Sequence, residues 1–355
     1  VPDAAVLDGV ALPPCVGAIV VDAGAPLARW REAGLTVLVQ VTSVAEAQAA
    51  AAAGADGLIA KGAESGGRAG EETSLVLLQA LAGAATLPVW VQGGVGLHTA
   101  AACIAGGAAG VVLDAQLSLA RESTLPPPVR SAVAAMDGSE TALIAGHRVY
   151  TRPDLPVRAQ LPAAEVRALL GGRDLVAQLL PAGQDAAFAR PLADRFRTVG
   201  GIVRGVAAAI AHGVAAAREQ QALGEGAPLA ARLTVRYPIF QGPMTRVSDR
   251  APFAQAVAEA GAVPFLALAL MRGAEVEALL TETAQRLAGR TWGVGILGFV
   301  PAELREEQLE VVRRIKPPVA LIAGGRPAQA QPLQDLGIAT FLHTPSPGLL
   351  TVRMA

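Results

Sequence analysis

Three short segments hold residue types whose spacing carries chemistry. The first is Gly57-Leu-Ile-Ala-Lys61-Gly62-Ala63-Glu64-Ser65-Gly66-Gly67-Arg68-Ala69-Gly70. An apolar strand runs straight into a glycine-rich loop, and residues without a Cβ let backbone approach a flat ligand. Lys61 stands at the strand end and Arg68 inside the loop. The second is Leu87-Pro-Val-Trp-Val-Gln92-Gly93-Gly94-Val95-Gly96-Leu97-His98-Thr99, a strand that ends in glycines just before a helix. Backbone N–H groups at such a turn face a bound anion. A matching turn follows the next strand, Gly110-Val-Val-Leu113-Asp114-Ala115-Gln116. Two strand-end turns in succession make the phosphate site that recurs after strands seven and eight of TIM barrels. The third segment is Tyr237-Pro-Ile-Phe-Gln241-Gly242-Pro243-Met244-Thr245. Gly242 and Pro243 fix a rigid kinked backbone, and Met244 offers a polarizable face to a ring. Taken one at a time, these segments also read as a surface loop, an ordinary turn and core packing.

The remaining reactive groups say less. His98 reads as a residue at a helix start beside the phosphate turn. His147, His212 and His343 have no acid or Cys partner nearby in sequence and read as structural. No Ser-His-Asp order or nucleophile elbow is present. Cys15 and Cys103 are far apart, without metal spacing, and read as buried thiols in a reducing, cytoplasmic setting. No metal site is expected.

The elements that must position these segments follow an alternating strand–helix pattern, which specifies an α/β fold with parallel strands. Strands are predicted at Gly17–Asp22, Thr36–Val41, Gly57–Lys61, Val89–Gln92 and Gly110–Leu113. Helices are predicted at Val44–Ala53, stopped by Gly54, and at Thr99–Ala105, stopped by Gly106-Gly107. From Arg121 to Ala231 the pattern changes to charged helices, at Ala163–Leu170 and Ala187–Leu223. Gly224-Glu225-Gly226-Ala227-Pro228 reads as a linker. Strands resume at Tyr237–Gln241, Val263–Leu268, Trp292–Ile296, Pro318–Ala323 and Ala339–His343.

An internal repeat organises the whole. Ala18 to Pro26 followed by Ala33 to Ser43 parallels Ala320 to Pro327 followed by Leu336 to Ser346, about 300 positions on. Each copy reads as strand, glycine turn, Pro at the helix start, helix, Gly cap, strand and Thr/Ser turn. The spacing is close to one barrel plus a helical extension. On this reading residues 1–120 are strands four to eight of a first barrel, 121–230 a helical extension and linker, and 231–355 strands one to five of a second. A single barrel closed in permuted order is the alternative. Both chain ends read as cuts.

Composition sets outer limits. The chain of 355 residues is 52% hydrophobic and 3% aromatic, with 39 Gly and 25 Pro, enough apolar material for a large core with many tight connections. With 29 basic and 30 acidic side chains the net charge is −1, and no basic block marks a nucleic-acid partner. Mean hydropathy is +0.42. The longest uncharged stretch, Thr86 to Leu113, is broken by Pro88 and several glycines and reads as strand, turn and helix, not a membrane span.

The order Gln-Gly-Pro-Met at a first strand, Glu-x-Gly-Gly-x-x-Gly after a sixth and Gly-Gly-Val after a seventh resembles the nitronate monooxygenase (2-nitropropane dioxygenase) superfamily. That superfamily includes FMN-dependent enoyl reductases and barrels of polyketide and polyunsaturated fatty acid synthases. The resemblance covers about Gly17–Gln116 and Tyr237–Leu350. It implies a TIM (β/α)8 barrel holding FMN, with the phosphate on Gly93, Gly94, Val95 and the Leu113, Asp114, Ala115, Gln116 turn beside Gln92. It also implies a flavin ring over Gly242, Pro243 and Met244, with Lys61 at the pyrimidine edge and Gly66 and Gly67 close by. NAD(P)H is the implied reductant. The partners are an acyl-carrier-protein-bound or small-molecule substrate and other domains of a larger synthase. Three positions depart from the family. Arg68 replaces the His that serves as a base, and a guanidinium cannot take a proton at neutral pH. Gly295 replaces a flavin-contacting Asn. Asp114 puts a carboxylate where Gly is usual. Arg68 is left as the group to bind a thioester carbonyl, carboxylate or phosphopantetheine phosphate. The functions in play are an enoyl-thioester reductase, a nitronate monooxygenase and a degenerate scaffolding barrel.

Overall fold

A computed structural model describes residues 12–151 and 161–344. The two chain ends read as cuts, and Ser346 of the repeat, lie outside these residues. The chain divides into two compact units, Val1–Arg218 and Glu219–Ala355. Residues 121–218 therefore fold with the first unit.

Among the described residues of the first unit are the strands β1 (Ala18–Asp22), β2 (Thr36–Val41), β3 (Gly57–Lys61), β4 (Gly67–Arg68), β5 (Val89–Gln92), β6 (Gly110–Val112), β7 (Thr141–Ile144) and β8 (His147–Tyr150). Five of them form a parallel sheet in the order β1-β2-β3-β5-β6. Helices fill the connections, as parallel crossovers require. Every residue of the central strand β3 is buried, which is why Gly57–Lys61 reads as a continuous apolar run. The core beneath it joins Val37, Val39, Val41, Leu58, Val91, Leu77, Leu81 and Trp30. The uncharged stretch from Thr86 is β5, the helix Thr99–Ala105 and β6. Ser43 caps the helix Val44–Ala52 by accepting from the Glu46 N–H at 3.2 Å, and Glu46 reaches back to the Thr42 N–H at 2.7 Å.

The second unit has β9 (Phe240–Gln241), β10 (Val263–Ala267), β11 (Gly293–Leu297), β12 (Val319–Ala323) and β13 (Ala339–His343). They form a parallel sheet in the order β13-β12-β11-β10-β9, over a core of Leu266, Leu280, Trp292, Val294, Ile296 and Ile322. The two halves of the sequence repeat are both parallel strand pairs, β1 with β2 and β12 with β13. One opens the first sheet and the other ends the second.

Three features differ from the sequence expectations. The stretch Ala187–Leu223 is not one helix. A 3-10 turn at Gln184–Phe188 leads into Ala189–Phe196, Arg197 breaks the run with φ +66°, and a new helix spans Val199–Gln220. Thr198 restarts it, its hydroxyl accepting from the Gly201 N–H at 3.0 Å. That second helix is long and apolar enough to cross a membrane by length and composition. Second, a three-stranded antiparallel sheet, β4-β8-β7, lies beside the parallel one. Its β7–β8 hairpin turns on Ala145 (φ +45°) and Gly146 (φ +76°), the two left-handed residues of a tight hairpin. Third, Cys103 is buried as expected but Cys15 is exposed, because it precedes β1 and packs into no element.

Candidate functional site

The parallel strands of the first unit all end on one side, so their last residues and following turns share a mouth. A chain of side-chain amides crosses it. Gln40 at the end of β2 donates Nε2–H to Gln92 Oε1 at 2.6 Å, and Gln92 donates to Asp114 Oδ2 at 3.0 Å. The Asp114 N–H donates to Gln116 Oε1 at 2.8 Å, and Gln116 Nε2 donates to the Val95 carbonyl at 3.0 Å. The turns at Gln92–Gly96 and Leu113–Gln116 thus converge, tied by Gln116, which is fully buried.

The Gly93 and Gly94 backbone is left-handed, with φ of +108° and +62°. A Cβ on Gly93 would lie 2.5 Å from the Ser65 hydroxyl oxygen. Ser65 is 1% exposed, and its hydroxyl has no hydrogen-bond partner. A buried, unsatisfied hydroxyl beside a left-handed glycine pair is what an anion cradle offers a ligand oxygen. His98 occupies the residue just before the helix Thr99–Ala105, as the sequence suggests.

Lys61 ends β3 in the middle of the sheet and is 5% exposed. Burial pushes its ammonium below the usual lysine range, while the charges of Asp114, Asp22 and Asp185 pull the other way. Its Nζ lies 3.6 Å from the Cβ position that Gly67 leaves empty. Gly66 and Gly67 run past it into β4.

Arg68 belongs to β4, paired antiparallel to His147 of β8. Its guanidinium donates to Glu46 Oε1 at 2.9 Å and to the Gln40 carbonyl at 2.9 Å, and it pairs with Asp22 at 3.4 Å. Burial alone would raise the Glu46 carboxyl, but the Thr42 N–H and Arg68 outweigh it and hold it below the usual range. The guanidinium expected to meet substrate is thus engaged with β1, β2 and the helix that follows β2.

One group at this mouth carried no sequence signal. Asp185, 2% exposed, arrives from the 3-10 turn Gln184–Phe188 and accepts from Gln116 Nε2 at 3.2 Å through Oδ2. Its Oδ1 has no partner. Burial, then the charges of Asp114 and Glu64, push its pKa up to about 7, against the backbone N–H of Gly94. The partners are 69 residues apart in sequence. A short apolar stretch holding a single Asp gives no hint of that meeting.

Gly242, Pro243 and Met244 lie in the second unit, directly after β9. Met244 is 46% exposed, and its N–H donates to the Ser248 hydroxyl at 2.8 Å. Gly295 on β11 shows why Asn is missing there. A Cβ at that position would meet the Pro243 ring at 2.2 Å. Pro243 occupies the room that a side chain on β11 would need.

A parallel α/β sheet whose consecutive strand-end glycine turns meet at one mouth has the arrangement from which phosphate sites of TIM barrels are built. Residues 11–151 match the model of the nitronate monooxygenase family. Over 108 residues the chain is 35% identical to a (3aS,4S,5R,7aS)-5-hydroxy-7a-methyl-1-oxo-octahydro-1H-indene-4-carboxyl-CoA dehydrogenase of Rhodococcus jostii, covering 29% of this chain and 30% of that one. The chain thus spans under a third of that relative's length. FabK from Thermotoga maritima is 25% identical, with a TM-score of 0.49 over 57% of this chain and 71% of that one. Nitroalkane oxidase from Streptomyces ansochromogenes is 28% identical, with a TM-score of 0.47 over 60% and 68%.

An FMN phosphate at the mouth of the first unit would meet groups of both signs. The cradle backbone, the unsatisfied Ser65 hydroxyl and the Lys61 charge suit it. The carboxyls of Asp114, Glu64 and Asp185 oppose a dianion. The residues fit the phosphate when the buried Asp185 is neutral.

Proposed function

We propose that the protein is an FMN-dependent oxidoreductase of the enoyl-thioester reductase kind, working as one barrel of a larger synthase. The observation that carries this reading is the meeting of the Gln92–Gly96 and Leu113–Gln116 turns around an unsatisfied Ser65 hydroxyl. Gly93, Gly94, Val95 and the residues from Leu113 to Gln116 would hold the phosphate, with Gln92 bracing both turns. When bound, the flavin would supply hydride from NAD(P)H to the β-carbon of an enoyl thioester, the α-carbon then taking a proton from solvent. The chain's own part is binding, orientation and charge. Lys61 brings a positive charge to the pyrimidine edge, and its burial keeps water from screening it. Gly66 and Gly67 let the backbone lie close to the ring.

Hydride delivery needs no side-chain base, so Arg68 in place of a His is compatible with it. Abstraction of a proton from a nitroalkane does need one, which disfavours a nitronate monooxygenase reaction. We assign Arg68 as a positioning residue that braces three strand-end elements at the mouth. The Rhodococcus relative's name describes a dehydrogenase of a carboxyl-CoA thioester, which supports a thioester substrate. Acyl-carrier-protein-bound acyl chains and other synthase domains are the partners this reading takes.

In the domain plan we favour, residues 1–120 are strands four to eight of one barrel and 231–355 strands one to five of the next. Gly242, Pro243 and Met244 are then the flavin platform of the second barrel. A non-catalytic barrel is the second reading, favoured by the three carboxyls at the cradle. Purified full-length protein separates the two. The enzyme reading expects flavin absorbance, anaerobic bleaching by NADPH and recovery on adding an enoyl thioester. A colourless protein that takes up no added FMN supports the scaffold.

A further inference from the structure

The cradle holds an acid where a phosphate ligand would add two more negative charges. Asp185 is wedged in place. A Cβ on Gly183, two residues before it, would sit 2.0 Å from the Glu64 carbonyl oxygen and 2.6 Å from the Gly66 nitrogen, so the backbone of that segment touches the loop after β3. Phe188, three residues after it, packs at 3.4 Å from the Cβ position of Gly96. These contacts seat the chain on both sides of Asp185 against the turns of the mouth. Its Oδ2 is engaged by Gln116, and its Oδ1 is buried with no partner. Once it carries a proton, that oxygen becomes a donor with no competing partner.

We propose that the glycine cradle takes a phosphate group together with one proton, with Asp185 present as the neutral carboxylic acid that donates from Oδ1 to a phosphate oxygen. The proposal rests on the anion-cradle part of the flavin reading, and it concerns any phosphate monoester there. The charged groups acting on Asp185 agree with it. Asp114 from the turn after β6 and Glu64 from the loop after β3 both favour its protonated form, while Lys61 at the end of β3 favours the charged form. With a pKa of about 7, the protein is poised to take up that proton near neutrality. A dianionic phosphate added beside Asp114 and Glu64 raises the value further. Ionised Asp185 makes the cradle repel phosphate, and neutral Asp185 makes it receive phosphate. Phosphate binding therefore weakens as pH rises above neutrality.

The test is calorimetric titration of full-length protein near pH 8 with FMN, riboflavin and inorganic phosphate, in buffers of different ionisation enthalpy. Wild-type protein is expected to take up close to one proton per FMN or phosphate bound, and none with riboflavin. Asp185→Asn keeps the shape, carries no titrating proton and is expected to show no uptake. Its affinity for FMN at pH 8 is expected to be about tenfold or more above wild type, with the two proteins converging near pH 6. The second ionisation of the ligand phosphate is common to both, so the difference isolates Asp185. Should the variant not fold, proton uptake by the wild type with FMN but not riboflavin decides. Equal uptake in both proteins, no uptake in the wild type, or no phosphate binding by either overturns the proposal. Uptake with inorganic phosphate but no binding of FMN sustains the proposal and sinks the flavin reading.

Discussion

At the scale of single residues, the mouth of the first sheet concentrates groups whose charges are costly to bury, and their pH dependence has a definite sign. Asp185 has a folded pKa of about 7 against a usual value of 3.8. The native state therefore holds the proton longer than the unfolded chain, and stability falls as pH rises from about 4 to about 7 and is level above. Asp185→Asn removes that loss. It is expected to match the wild type near pH 4 and to exceed it by ~2–4 kcal/mol near pH 8, measured by urea unfolding. Lys61 has the opposite sense. Burial depresses its folded pKa below 10.5, so the wild type gains stability relative to Lys61→Met as pH rises through the lowered value towards 10.5. Urea midpoints between pH 7 and 10 read this directly, and a flat difference would remove the buried-ammonium account. Gly93 tests the cradle itself. With φ +108° and the Ser65 oxygen 2.5 Å from a Cβ, Gly93→Ala is expected to cost roughly 1–3 kcal/mol and to abolish phosphate binding. Gly83→Ala, at φ −88° with open space around it, is the control, expected to stay within about 0.5 kcal/mol.

At the scale of elements, the parallel strands were legible because each is a short apolar run ended by glycine or a polar residue, and β2, β3, β5 and β13 fall on the residues expected. The turns at Gly93 and Leu113 were legible for the same reason. What stayed hidden depends on partners distant in sequence. β4 is two residues of an apparent glycine loop, and it becomes a strand only because β8 pairs with it. The β7–β8 hairpin turns on Ala-Gly, which lacks the usual Asn-Gly or Asp-Gly signal. The break at Arg197 had one signal, Thr198 ahead of Gly200 and Gly201, a cap pattern overshadowed by the alanine-rich helix after it. The glycine-rich segment around Arg68 gives no sign in sequence of a strand partner. Arg68 pairs with β8 and reaches Asp22, Glu46 and the Gln40 carbonyl. Arg68→Ala is expected to lower stability by about 1–3 kcal/mol, since its partners are only partly exposed and water recovers part of the loss. A bracing role further expects Arg68→Lys to restore much of the stability. A substrate-binding role expects a rise in KM with stability unchanged.

At the scale of the whole molecule, the chain holds two five-stranded parallel sheets in two compact units, and the plan we propose assigns them to the end of one barrel and the start of another. The paired βα units at Ala18–Val41 and Val319–His343 are both parallel strand pairs, at the opening of one sheet and the close of the other. Composition does not distinguish such plans, because one large barrel and two partial ones share the same apolar fraction and glycine content. The position of Asp185 was beyond reach of the sequence, since it depends on how residues 161–196 fold back on the first sheet. The central claim is that the mouth of that sheet receives the phosphate of a flavin. Equilibrium titration of full-length protein with FMN near pH 6, followed by quenching of flavin fluorescence, with riboflavin as the comparison, tests it most directly. The account predicts saturable binding of FMN that is at least tenfold tighter than that of riboflavin and is lost in Gly93→Ala. Equal affinity for the two flavins, or FMN binding untouched by Gly93→Ala, would contradict it.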